Sequence, residues 1–239
     1  MLTEKFLMGR GRRYLTADDL AALEAAVERV VELPPRHTLT RRGEPVANST
    51  LLLEGVLCRY MDDRDGDRQL VAVQIAGDFV DLHAFPMKHL DHDIATIGPA
   101  TVALVPHDRL ETLVLERSSL ARMFWFSTLL DAAMHREWIF RLGRLDARGR
   151  VAHFFCELFE RLTMVELAED GRFGLPLTQA DLGEACGMTP VHANRVLRGL
   201  REHGVITFRD GVVTIDDREE LRRLAEFDPA YLYPGGPDG

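Results

Sequence analysis

Cysteine is scarce in this sequence and lysine almost absent. The three cysteines among 239 residues, Cys58, Cys156 and Cys186, lie far apart and form no C-x-x-C pair. That excludes a disulfide framework, a four-cysteine zinc site and a cysteine-ligated iron–sulfur cluster. No run of about 18 consecutive apolar residues occurs, and the most apolar stretch, Leu120 to Met134, is broken by Arg122 and Asp131, so neither a membrane span nor a membrane partner is expected. The opening MLTEKFLMGRGRRYL lacks the apolar run of a signal peptide, and a cytoplasmic location is expected. Also missing are H-E-x-x-H, G-x-S-x-G and a phosphate-cradling glycine loop, so the sequence gives no reason to expect an enzyme or a catalytic residue. Only Lys5 and Lys88 are lysines among 29 basic residues; against 38 acidic ones the net charge is −9, a total that by itself argues against a nucleic-acid partner.

What is present is apolar content of 46%, enough for a packed core. Thr16 caps a helix expected over about 17–31, with Leu20, Leu23, Val27 and Val30 at helical spacing. From Leu33 to Pro106 the texture changes to short apolar stretches at 37–40, 50–60, 68–75, 94–98 and 101–106, separated by turn chemistry such as Asp65-Gly66. Many short strands with regular turns predict a small barrel or sandwich. Residues 108–167 then hold two glycines and no proline, which suits a short helix over 108–115 and a long one starting at Ser118. On the long helix Leu120, Phe124, Ser127, Leu130, Met134, Trp138, Arg141 and Leu145 recur at spacings of three and four, read as the seam of a parallel dimer coiled coil. Asp146 caps a further amphipathic helix, and a tail, Pro234 to Gly239, has the composition of a disordered end. The domains expected are 1–107, 108–145 and 146–239.

The most informative stretch is LTQADLGEACGMTPVHANRVLRGLREHGVITFRDGVVTI, residues 177–215. Thr178 caps a short helix that begins at Gln179, Gly187 supplies a tight turn, and Thr189 caps a second helix with Pro190 at its first position, where the missing N–H costs nothing. Val205 to Phe208 and Val212 to Ile215, joined by Asp210-Gly211, add a two-stranded wing. Cap, proline, turn glycine and wing in this order predict a winged helix-turn-helix that binds double-stranded DNA. Arg195 can make two hydrogen bonds to guanine and Asn194 two to adenine. Pro190 and Val191 offer apolar contact, while Thr178, Gln179, Thr189, His192, Arg198 and Arg209 are candidates for phosphates or base edges. Locally the charge inverts: Arg195, Arg198, Arg201 and Arg209 stand against Glu202 alone before Asp210.

The whole order of elements resembles the Crp/Fnr family of bacterial transcription regulators. The landmarks are Leu33-Pro-Pro-Arg-His-Thr-Leu, Arg42-Gly-Glu-Pro, Leu53-Glu-Gly-Val, Gly77-Asp-Phe, the long helix, Leu145-Asp-Ala-Arg-Gly-Arg-Val-Ala and the winged helix. The resemblance implies an α+β chain: an N-terminal β jelly roll of the cyclic-nucleotide-binding type, a dimerisation helix and a C-terminal winged helix-turn-helix. It also implies a homodimer on an inverted-repeat operator, with RNA polymerase as a further partner.

Departures from the family pattern matter as much. Members that bind cyclic nucleotides carry a Gly-Glu pair just after Gly-Asp-Phe and an Arg-Ser or Arg-Thr pair a little further on. Here the first reads Asp81-Leu82 and the second region Leu90-Asp91-His92-Asp93, whose carboxylates would repel a phosphate, so no cyclic nucleotide is expected. The cysteine cluster of the family's oxygen sensors is missing too. The effector pocket instead gathers Asp81, His83, His89, Asp91, His92 and Asp93, with His107 further on. Two readings stay open: these side chains satisfy one another and no cofactor is bound, or they form a metal or haem site. A histidine switch acting at about pH 6–7 is a further expectation.

Overall fold

The computed structural model describes residues 1–237. It resolves into two compact units, one of residues 1–61, 73–132 and the tail from Tyr233, the other of 62–72 and 133–232.

In the first unit, helix α1 (Ala17–Ala26) starts at a reciprocal cap, Thr16 accepting from the Asp19 N–H while the Asp19 carboxylate accepts from the Thr16 N–H. It ends five residues before the expected boundary. β-branched Val27, Val30 and Val31 turn the chain extended, and strand β1 (Arg29–Leu33) pairs antiparallel with β7 (Ala100–Pro106) along its whole length. The apolar run at 50–60 is likewise two strands, β3 (Asn48–Glu54) and β4 (Val56–Asp62), broken at Gly55. A side chain there would meet the Pro99 carbonyl, and its φ of +91° is one that glycine adopts without cost. With β2 (Thr38–Thr40), β5 (Arg68–Ile75) and β6 (Asp93–Thr96), these strands make two antiparallel sheets, β1-β7-β3 and β2-β6-β4-β5, the two layers of a jelly roll. Leu33, Leu52, Leu57, Val80, Leu90, Ile94, Val102 and Leu104 fill the space between them. A one-turn helix, α2 (Ala84–Met87), sits in the β5–β6 connection, and α3 (His107–Glu116) follows β7.

Helix α4 (Ser118–Arg144) is the long helix. The stripe expected to face a partner faces its own chain instead. Leu120 and Phe124 belong to the core that also holds Phe6, Leu23, Phe79 and Leu110. Leu130, Met134, Trp138, Arg141 and Leu145 are buried as well, and Ser127 is half-buried. Period alone does not tell a helix's own core from a partner's, and here the first claim on the stripe is intramolecular. The tail also departs from expectation up to Pro237: the Gly235 N–H donates to the Gly9 carbonyl and Tyr233 packs edge-on against Phe126. Asp238 and Gly239 lie outside the described residues.

In the second unit, α5 (Ala147–Met164) starts at Asp146, whose carboxylate accepts from the Gly149 N–H. A short hairpin, β8 (Ala168–Glu169) and β9 (Arg172–Gly174), leads to α6 (Gln179–Cys186) and α7 (Pro190–Glu202). The wing strands β10 (Ile206–Arg209) and β11 (Val212–Ile215) then complete a four-stranded sheet of order β10-β11-β9-β8, twice the size expected from sequence. Helix α8 (Arg218–Ala225) packs on α5. Among the described residues no helix is long and apolar enough to cross a membrane.

Candidate nucleic-acid interface and effector pocket

The helix-turn-helix is built from local chemistry. Thr178 accepts from the Asp181 N–H and the Asp181 carboxylate accepts from the Thr178 N–H, fixing the start of α6. Gly187 ends it with φ of +62°, and Gly183 lets the turn close, since a Cβ there would lie 2.6 Å from the Met188 carbonyl oxygen. Arg150 on α5 braces the same turn, donating to the carbonyls of Cys186 and Gly187. The tip of the β4–β5 hairpin belongs to this unit too: Arg68 pairs with Glu184 on α6 at 3.0 Å, and the Gln69 amide donates to the Glu184 carbonyl.

Thr189 caps α7 by accepting from the His192 N–H, and Pro190 takes the first position. Ala193, Leu197 and Leu200 point into the core, leaving Val191, His192, Arg195 and Arg198 exposed. Val191 is 71% exposed, a large fraction for a β-branched apolar side chain at the start of a helix. Asn194 is half-buried and donates from Nδ2 to Oε1 of exposed Gln179 at 2.7 Å. Thr178, Thr189, Pro190 and Arg209 are exposed too. This end of α7 therefore offers apolar, amide and guanidinium groups with the partial positive charge of a helix N-terminus behind them.

The effector-pocket residues do not converge into one site. Asp81 is buried and accepts from the Thr50 N–H. Burial pushes its carboxyl up to about 7, with the Thr50 bond and the charge of Arg59 opposing. His83 and His92 form a second group, with ring centroids 5.3 Å apart, and His92 Nδ1 lies 2.8 Å from the Asp91 carboxylate. Burial, and after it the charge of Arg59, pushes His83 down to about 4 and lowers His92 as well. Both shifts favour the neutral imidazole, and for His83 the shift is large enough to run against a switch at about pH 6–7. Asp93 stands apart, accepting from the Arg42 N–H. His89 is exposed in the loop, and His107 lies at the start of α3 with Nε2 3.3 Å from the Ser49 hydroxyl. Among the described residues no three His, Cys, Asp or Glu side chains are placed to hold a metal ion.

The centre of this region is a pair that the sequence reading missed. Arg59, buried on β4, donates to the Val80 carbonyl and pairs with Asp131 on α4 at 2.5 Å. The available signal was an arginine inside the otherwise apolar strand Val-Leu-Cys-Arg-Tyr. A second buried network explains why the late part of the α4 stripe is occupied. The Trp138 indole donates to Glu157 on α5 at 3.1 Å, and Arg141 stacks 3.9 Å over the same indole and donates to the Ala185 carbonyl. Tyr231 and Arg161 also bond Glu157. Burial works to raise that carboxyl, but Arg161 and Arg141 outweigh it and hold it low.

Known proteins of two kinds match this arrangement. The profile of a Crp-like helix-turn-helix domain matches residues 149–224, and that of a cyclic nucleotide-binding domain matches residues 30–117. A probable transcriptional activator of Rhizobium leguminosarum bv. viciae is 30% identical over 204 residues, covering 79% of this chain and 82% of that protein. The fumarate and nitrate reduction regulatory protein of Escherichia coli (strain K12) is 22% identical over 211 residues, 88% of this chain and 84% of the other. Among solved structures, FixK2 from Bradyrhizobium japonicum has the same fold, with a TM-score of 0.74 at 24% identity over 82% of this chain and 96% of that one.

Proposed function

Because the chain belongs to the Crp/Fnr family of DNA-binding transcription regulators, we propose that it acts as a homodimer on an inverted-repeat operator and without a cyclic nucleotide. The observation that carries the first part is the exposed face at the start of α7, where Val191, His192, Arg195 and Arg198 stand free of the core. A dimer would set two such helices about 34 Å apart, one turn of DNA, in successive major grooves. RNA polymerase is the further partner this reading implies.

The seam of the dimer is not the stripe marked out by the buried residues of α4. On the opposite side of the helix Trp125, Leu129, Ala132, Arg136, Ile139 and Gly143 follow one another at spacings of four and three, and Trp125, Leu129 and Ile139 are 67%, 53% and 73% exposed. Three large exposed apolar side chains at this period, with Arg136 between Leu129 and Ile139, support a partner helix. Independence from cyclic nucleotides is supported by Leu82, a buried apolar side chain where the family's ribose-holding glutamate would stand, and by the exposed Asp91 carboxylate where the family's phosphate-gripping arginine would stand.

Selection of bound sequences from random duplexes tests the reading. The expected product is an inverted repeat, and Arg195→Ala should abolish discrimination at one base pair per half-site, costing about 1–3 kcal/mol there. Equal loss on selected and random DNA would count against base reading by Arg195.

A further inference from the structure

Gln179 is the first residue of α6, but it takes no part in the cap, because Thr178 and Asp181 already satisfy each other there. Its exposed side chain reaches to the recognition helix α7, fifteen residues on, and accepts one amide hydrogen of Asn194 at 2.7 Å. A primary amide has two N–H donors and one carbonyl acceptor. When the hydrogen given is the one anti to Oδ1, Asn194 keeps one N–H and its Oδ1 side by side on the edge that does not face Gln179. Gln179 keeps both of its N–H groups. The opposite arrangement, with Gln179 donating, would use the Asn194 acceptor and leave two donors on its edge, and it would turn the Gln179 carbonyl oxygen toward any phosphate lying along α6.

The free edge of Asn194 is a donor beside an acceptor, the complement of adenine N7 and N6 in the major groove. An unrestrained asparagine amide rotates and presents the two in either order; one held by a neighbour does not. We propose that Gln179 is a positioning residue for base recognition: it holds the Asn194 amide in the orientation that reads an adenine, while its own amino group docks on a backbone phosphate. Val191 and Arg195, three residues before and one after Asn194 on the same exposed end of α7, place this adenine beside the base pairs those two would touch. The proposal rests on the DNA-binding reading above.

The test uses the full-length protein and the half-site obtained by selection, with affinities measured on the selected duplex and on the three duplexes that replace the adenine. Wild type should prefer adenine about ten-fold or more at that position, the discrimination expected of a bidentate amide contact. Gln179→Ala should remove most of that preference, Asn194→Ala all of it, and the double variant should be no less selective than Asn194→Ala alone. Gln179→Glu separates the two roles: its carboxylate still accepts from Asn194, so the preference stays, while repulsion from the phosphate weakens binding on all four duplexes alike. Equal weakening by Gln179→Ala on all four duplexes, with the adenine preference intact, would overturn the proposal, as would selection of another base at that position. Failure of the wild type to select any sequence would sink the DNA-reading premise instead, and the proposal with it. Both side chains lie outside the core, so unchanged thermal unfolding of the variants is the expected control result.

Discussion

Asp81 is a carboxylic acid buried where water does not reach, at the position of the glycine in the family's Gly-Glu pair. Inside, it accepts from the Thr50 N–H and feels the charge of Arg59, but burial dominates and sets its pKa at about 7. The sign of the consequence follows from linkage. The folded pKa lies above the unfolded value of about 4, so the stabilisation tied to the neutral acid is complete below about pH 4 and is lost as pH rises through about 7. Asp81→Asn keeps the acceptor for Thr50 and removes the titration. Between about pH 4 and pH 8 the wild type should therefore lose stability relative to Asp81→Asn by an amount on the order of 2–4 kcal/mol, read from denaturant unfolding of the N-terminal unit. Parallel stability curves for the two proteins would show that Asp81 is already ionised in the fold. His83 contributes in the opposite sense: its pKa of about 4 lies below the ordinary imidazole value, so its share is present above about pH 6.5 and lost on acidification.

At the scale of elements, legibility in the sequence followed how local the chemistry was. The start of α7 could be read directly because Thr189, Pro190 and the turn glycine Gly187 act within a few residues of one another. The jelly roll could be read from its turns, though Gly55 hid a corner inside one apolar run. The Arg59–Asp131 pair could not, since its partners are 72 residues apart and neither spacing nor composition joins them. Helix α4 is the instructive failure. Both of its stripes have the period of a coiled coil, and only the structure distinguishes the one claimed by Phe6, Phe154 and Glu157 from the one left exposed. That distinction makes a prediction. Ile139→Asp places a charge on the exposed stripe without touching the core, so it should weaken self-association by ten-fold or more, about 1.4 kcal/mol, in sedimentation equilibrium. Operator affinity should fall with it, because a monomer engages one half-site. A variant that stays dimeric with unchanged affinity would place the seam elsewhere.

For the whole molecule the question is how a chain of net charge −9 holds a polyanion. Much of the acid lies in other segments of the sequence, residues 62–67, 78–93 and 216–228, whereas the exposed arginines Arg195, Arg198 and Arg209 fall on α7 and the wing. Arg195 is assigned to a base edge, so the charges each protomer brings to phosphates from α7 and the wing turn are Arg198 and Arg209, beside backbone and amide donors. A dimer would then neutralise about 4–6 phosphates, and the logarithm of the operator affinity should fall against the logarithm of salt with a slope of about −4 to −5. The acidic remainder repels DNA over distances that salt screens, so affinity for random duplexes should be weak even at low ionic strength, and most of the binding energy should be specific. Filter binding or fluorescence anisotropy across a salt series checks this directly. A slope near −10 would mean that a larger basic surface than Arg198 and Arg209 meets the backbone, and a slope near zero would mean that these arginines do not meet it at all.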